Sequence, residues 1–101
     1  MIDAAKAAER FVAGRRREDL DQDQMLLFAL VRAVEIVGEA AARISAETRS
    51  KAPTLAWPAI VAMRNRLIHA YFDIDRNILW RTVHEELPPL RDRLQRLLSE
   101  D

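Results

Sequence analysis

With 101 residues, the chain has room for one domain, residues 1–101, built on a single modest core. Half of the residues are hydrophobic and 32% are charged, the balance of a folded soluble protein rather than a disordered one. Sixteen basic and sixteen acidic side chains cancel, which argues against a strong sequence-independent nucleic-acid binder and confines any RNA site to a local positive patch. The lack of cysteine excludes disulfides and thiolate metal sites and suits a reducing cytosol. No basic apolar leader and no long apolar run stands out, so the expectation is a cytoplasmic protein without a membrane span.

Glycine is scarce, the four prolines fall at expected helix boundaries, and no alternating strand pattern persists. The chain therefore reads as an all-α, up-down bundle of four or five helices. The first helix is predicted from about Ile2 to Ala13 on a thin apolar stripe of Ala5, Ala8, Phe11 and Val12, and Gly14 ends it. Arg15-Arg16-Arg17 follows, either a contact for RNA or a partner's phosphates or, as is usual for a charge run, a solvated turn.

Asp21-Gln22-Asp23-Gln24 resembles a helix start, with an acidic cap and a glutamine three residues on. The helix it opens is predicted to be the longest, reaching about Ala46. Its seam is Leu27, Leu30, Val34, Val37, Ala41 and Ile44, widened by Ala29, Ala33, Ile36 and Ala40. So wide an apolar face predicts contacts on two sides, with the bundle core and with a second subunit. The opposite stripe carries Arg32, Glu35, Glu39 and Arg43. Gly38 inside this helix costs about 1 kcal/mol against alanine, which suggests another backbone approaching closely. Two readings of Glu39 stay open: orienting Arg64 or His69 across the helix pair, or a surface ion pair with Arg43 at i+4.

From Ser45 to Pro58 the reading is a connection rather than an element, punctuated by Pro53 and Pro58 and anchored by Leu55 and Trp57. A tryptophan just before a helix more often closes a core than stacks on a base. Pro58 then starts a helix at the position where its missing N–H costs nothing, and Ile60, Val61, Met63, Leu67 and Ile68 supply its core contacts. Phe72-Asp73-Ile74-Asp75 forms a turn, with Asp75 capping the next helix and Ile74 stapled to Leu79. That helix turns Ile78, Leu79, Val83 and Leu87 inward, with Trp80, Arg81 and His84 on its flank. His84 reads as a surface or boundary residue rather than a second base. Pro88-Pro89 breaks the chain and opens a last helix, with Leu90, Leu94, Leu97 and Leu98 inward and Arg91, Arg93 and Arg96 outward.

The densest chemistry lies in Met63-Arg64-Asn65-Arg66-Leu67-Ile68-His69-Ala70-Tyr71. Arginine is a permanent charge whose planar fork of donors matches phosphate oxygens. Histidine gives or takes a proton near neutral pH. Together they suit RNA phosphodiester cleavage without a metal: His69 handles the proton of an attacking 2′-hydroxyl or of the leaving oxygen, and Arg64 stabilises the charged transition state. Arg66 and Arg32 are further candidates for holding substrate. On a straight helix, at about 100° per residue, Asn65 and His69 project within roughly 40° of each other, whereas Arg64 and His69 stand about 140° apart. Convergence needs a long reach by the arginine, a helix that loosens near His69, or a second copy. A two-fold dimer would also supply the second imidazole that acid and base catalysis together require.

These residues resemble a known family. Arg64, four residues, His69, one residue, Tyr71 is similar to the RxxxxHxY motif of the HepT-like toxins, a branch of the HEPN superfamily of helical ribonucleases, and Asn65 after the arginine fits that pattern. The likeness extends to Ile36-Val37-Gly38-Glu39-Ala40, Trp57-Pro58, Asp73-Ile74-Asp75 and Leu87-Pro88-Pro89-Leu90, covering the chain from about residue 20 to its end. The resemblance implies the toxin of a toxin–antitoxin pair, a homodimer with its ribonuclease site at the interface. It implies a minimal nucleotidyltransferase antitoxin of the MntA type as partner, which transfers AMP to the motif tyrosine, by position Tyr71. Added phosphate and bulk beside Arg64 and His69 would block the site. Asn65, Glu39 and Asp73 would then support the catalytic pair, although turn formation alone explains Asp73.

Other chemistries have little support. The two histidines stand fifteen positions apart and no acid–histidine spacing matches a metal motif, so neither metal nor cofactor is expected. No glycine-rich phosphate loop is present. The alternative is a non-catalytic helical module that binds a nucleotide or docks on a nucleotidyltransferase.

Overall fold

The computed structural model describes residues 1–70 and 73–99, with His69, Ala70 and Ser99 described by backbone alone. Its axis is the long helix α3 (Gln24–Ala42), between α1 (Ile2–Val12) and the one-turn α2 (Asp19–Gln22) on one side of the sequence and α4 (Ala46–Ser50) on the other. Asp23 caps α3 by accepting a hydrogen bond from the Leu26 N–H at 3.1 Å. The acidic cap is thus two residues later than the sequence suggested, because Asp21 belongs to α2. Gly14, at φ 73°, turns the chain after α1 in the left-handed region that glycine tolerates. Leu27, Leu30, Val34, Val37 and Ala41 of the predicted seam are buried, together with Ala33. They pack against Ala4, Ala5, Ala8 and Val12 of α1.

The connection after α3 is more ordered than expected. Ser45 accepts from the Thr48 N–H and caps α4, an element that the sequence presents as part of a connection because Pro53 and Pro58 follow it. Trp57 closes the core as predicted, 6% exposed, with its indole N–H donating to the Ala52 carbonyl. The Arg49 guanidinium lies 5.6 Å from that ring and donates to Ala41 O, so one side chain ties α4 to the end of α3.

The helix predicted from Pro58 through the motif is two short ones, α5 (Trp57–Val61) and α6 (Met63–Leu67), separated at Ala62. Trp57, Ile60, Met63 and Leu67 face inward, but Val61 is 37% exposed. Gly38 explains how α5 sits so near α3: a Cβ there would lie 3.1 Å from the Val61 carbonyl oxygen. The close backbone approach predicted from that glycine is present.

After α6 come the only strands among the described residues, β1 (Ile68–Ala70) and β2 (Asp73–Ile74), an antiparallel ladder. Asp75 N donates to Leu67 O beside it. Asp75 also caps α7 (Arg76–Arg81) through the Ile78 N–H, as predicted. The prolines then do not break the chain. Helix α7 runs through one π-helical turn (Thr82–Glu86) directly into α8 (Leu87–Ser99), with Leu87 N–H reaching back five residues to Thr82 O. Pro88 and Pro89 sit in the first turn of α8, where a missing N–H is tolerated, and the wide turn takes up the mismatch upstream. Leu90 and Leu94 face the core as expected, whereas Leu98 is 65% exposed. Arg91, expected to face solvent, bridges to Glu9 of α1 at 2.7 Å, and that hydrogen-bonded carboxylate raises its pKa above the ordinary arginine value.

The fold is all-α. Its Cα atoms span 43 × 29 × 17 Å, and the short dimension holds two helix layers at about 8–10 Å spacing. One long face of α3 is left uncovered: Met25, Phe28 and Ile36 are 84%, 54% and 36% exposed.

Candidate active site

Arg64 lies on the exposed side of α6, next to that uncovered face of α3. Its Nε stands 3.3 Å from Oε2 of Glu35. Neither terminal nitrogen of its fork makes a hydrogen bond among the described residues, and the side chain is 48% exposed, so the fork keeps donors that the fold does not use. Glu35 is a residue that sequence reasoning placed on the polar stripe but did not single out. The available signal was its position one turn before Glu39, next in phase to the Gly38 contact. Glu39 instead pairs with Arg32, Nη1 to Oε1 at 3.5 Å, both on the exposed stripe. Of the partners the sequence offered for Glu39, Arg64 pairs with Glu35 instead and Arg43 is not the one found, while the side chain of His69 lies outside the described residues.

Arg66 is separated from Arg64. Two residues on, it projects about 200° around the helix and forks onto Glu86 of the π-helical turn, with Nη1 and Nη2 each 3.1 Å from a carboxylate oxygen. Both terminal nitrogens face that carboxylate, which makes Arg66 a tie between α6 and the π-helical turn rather than a ready phosphate donor. Asn65 is exposed beside Arg64.

The helical phase applied to this segment from the sequence ends at Leu67. Ile68, at φ −111° and ψ 108°, is already extended, so His69 does not follow the helical phase of Arg64. In the ladder Ile68 faces Ile74 and Ala70 faces Asp73, so two steps on β1 match one on β2. His69 is therefore the extra residue of a β-bulge. The side chain of His69 and the whole of Tyr71 lie outside the described residues. Asp73 is exposed on β2 opposite Ala70.

Other candidates fall away from this region. His84 is exposed, its ring stacked on Trp80 with centroids 3.9 Å apart and Nδ1 3.1 Å from Trp80 O. The arginine cluster is matched by acids: Arg15 to Asp23, Arg16 to Glu18 and Arg17 to Asp21, with Arg17 also donating to Asn77 of α7. Among the described residues, no three acidic or histidine groups gather as metal ligands. No described helix is long and apolar enough to cross a membrane.

A two-layer helical domain with an outward arginine fork just before a bulged His strand defines a class, the small all-α proteins that carry an RxxxxHxY segment. A model of the family described as Ribonuclease HepT-like matches residues 1–97, and the chain belongs to that family. The match takes in the N-terminal helix, which the motif-based resemblance did not reach. The chain is 37% identical over 97 residues to "Probable ribonuclease HepT" of Thermococcus cleftensis, covering 96% of this chain and 88% of that one. It is 37% identical over 90 residues to "Putative RNase TTE0752" of Caldanaerobacter subterraneus subsp. tengcongensis, with coverage of 89% and 80%. A third relative, "Putative RNase MJ1380" of Methanocaldococcus jannaschii, is 33% identical over 95 residues, with coverage of 94% and 87%. No solved structure matches the chain.

Proposed function

We propose that this HepT-like chain is an endoribonuclease whose cleavage site is built by two copies of the protein. The observation that carries the reading is Arg64, half exposed and with no hydrogen bond on its terminal nitrogens among the described residues, at the edge of an uncovered face of α3. Met25, Phe28 and Ile36 share one face of α3 with the exposed Arg32–Glu39 pair, and this mixed face, together with the exposed Val61 of α5, is a surface that a second copy would bury. A two-fold axis there would set Arg64 of one protomer near the motif of its partner.

In the proposed reaction an imidazole of His69 takes the proton of a ribose 2′-hydroxyl, and that oxygen attacks the neighbouring phosphorus. The bond to the 5′-oxygen breaks, and the second His69 returns a proton to it. Arg64 from each side stabilises the charge that builds on the phosphoryl oxygens. No step requires a metal. A nucleotidyltransferase partner of the MntA type would silence this toxin by placing AMP on Tyr71, which adds anionic phosphate beside Arg64.

The test uses purified full chain, cellular RNA and EDTA. Cleavage is expected, and it is expected to be lost in His69→Ala. Cleavage by that variant at the wild-type rate would remove His69 from the mechanism. Sedimentation of Phe28→Asp should shift the protein from dimer to monomer; a wild-type profile would rule out this face as the interface. Incubation with the nucleotidyltransferase, ATP and Mg²⁺ should add AMP mass to wild type but not to Tyr71→Phe.

A further inference from the structure

A second cationic feature lies away from the motif, where the turn after α4 meets the outer face of α8. Lys51, Thr54, Arg93 and Arg96, with Ala52, Pro53 and Leu97, line a notch of about 230 Å³. No carboxylate-bearing residue is among them. Arg96 is paired with Asp92 at 3.0 Å, but Lys51 and Arg93 have no carboxylate partner among the described residues. Arg93 reaches across the notch to the Thr54 hydroxyl, so its guanidinium is held by a neutral oxygen that leaves its charge unmatched. In a chain whose net charge is zero, and whose Arg15–Arg17 run is matched by acids, such a spot stands out.

From this geometry we infer that the notch is a phosphate-binding site for the RNA backbone, an anchor separate from the place where the chain is cut. Size decides the class of ligand. Drug-sized ligands occupy pockets of about 300–1,000 Å³, so 230 Å³ is too small to enclose a whole nucleotide and suits one phosphodiester group. Charge decides its sign, since two unmatched cations and a hydroxyl donor recognise phosphate oxygens. Arg93 also lines the adjoining groove, walled by Leu55, Ala56, Met63 and Pro89 and reaching Arg66 on α6, the helix that bears Arg64. In that groove Arg66 is already matched by Glu86 and the Glu85 carboxylate lies on the lining, so the groove adds no cation of its own; its apolar walls are what it offers to bases and riboses. RNA held at the notch can thus lie along the molecule toward the motif helix.

This inference rests on RNA being the substrate. The measurement is binding of fluorescein-labelled single-stranded RNA to the full chain in EDTA across a potassium chloride series, alongside cleavage kinetics. The triple variant Lys51→Gln, Arg93→Gln, Arg96→Gln should bind roughly tenfold more weakly, the loss of about one charge-assisted contact. Its salt slope should fall by roughly 0.7 for each phosphate contact removed. In cleavage, KM should rise while kcat holds, and Arg10→Gln, on α1, should behave as wild type. Equal affinity and equal salt slope in wild type and triple variant would overturn the anchor even if both cut RNA. If wild type binds without cutting and the triple variant loses affinity, the anchor stands and the ribonuclease reading fails. Failure of wild type to bind RNA removes both. Loss of nucleotidyltransferase binding with RNA binding intact would make the notch a protein contact and overturn the proposal.

Discussion

Arg64 and Arg66 share one five-residue helix, and the structure gives them opposite tasks. Arg66 turns both terminal nitrogens onto Glu86 and ties α6 to the π-helical turn. Arg64 meets Glu35 through Nε and keeps its fork facing out. The same side chain at two positions thus differs in how many donors the fold consumes. Residue type marks a candidate for phosphate chemistry, but the donors left over after folding decide which candidate is available.

The largest expected effect separates the two directly. Arg64→Ala should lower kcat for RNA cleavage by about 10²–10³-fold, the cost of removing one transition-state donor, with little change in melting temperature. A drop of less than fivefold would show that the outward fork is not part of the reaction. Next comes the contact that positions α5. Gly38→Val would force branched carbon against the Val61 carbonyl, where even a Cβ would sit at 3.1 Å. Overpacking of this kind costs about 1–3 kcal/mol, and each kcal/mol lowers the melting temperature of a domain this size by roughly 4–8 °C. An unchanged melting curve would mean the helices are not packed as described. The smallest effect belongs to Arg66→Gln, an exposed pair worth about 0.2–1 kcal/mol, with cleavage within a few-fold of wild type. A loss matching that of Arg64→Ala would erase the distinction drawn between the two.

The contrast also explains what the sequence made legible. Long elements were readable because an apolar seam repeats along them, as Leu27, Leu30, Val34 and Val37 do on α3, and all four are buried. Caps at Asp75 and the role of Trp57 were readable from local chemistry. The interruptions were not, because they depend on partners distant in sequence or on geometry outside the usual periods. The end of α6 at Leu67 is fixed by β2 pairing with β1 and by Asp75 N donating to Leu67 O. Glu35 escaped notice because its one local signal, lying next in phase to Gly38, marks a helix contact without naming Arg64 as what folds against it. Arg32 and Glu39 were both on the expected stripe, yet their pairing spans two turns, beyond the i+4 rule applied to them.

The π-helical turn at Thr82–Glu86 carries one residue more than an α-helical path over the same distance. Deleting one residue within it would let the helix close regularly and leave Leu90, Leu94 and Arg91 in phase, whereas a deletion in the regular helix on either side would turn everything beyond it by about 100°. In that second case Leu90 and Leu94 would leave the interior and Arg91 would lose Glu9. The wide turn is therefore the one place in this stretch where the chain can lose a residue and keep the setting of its last helix.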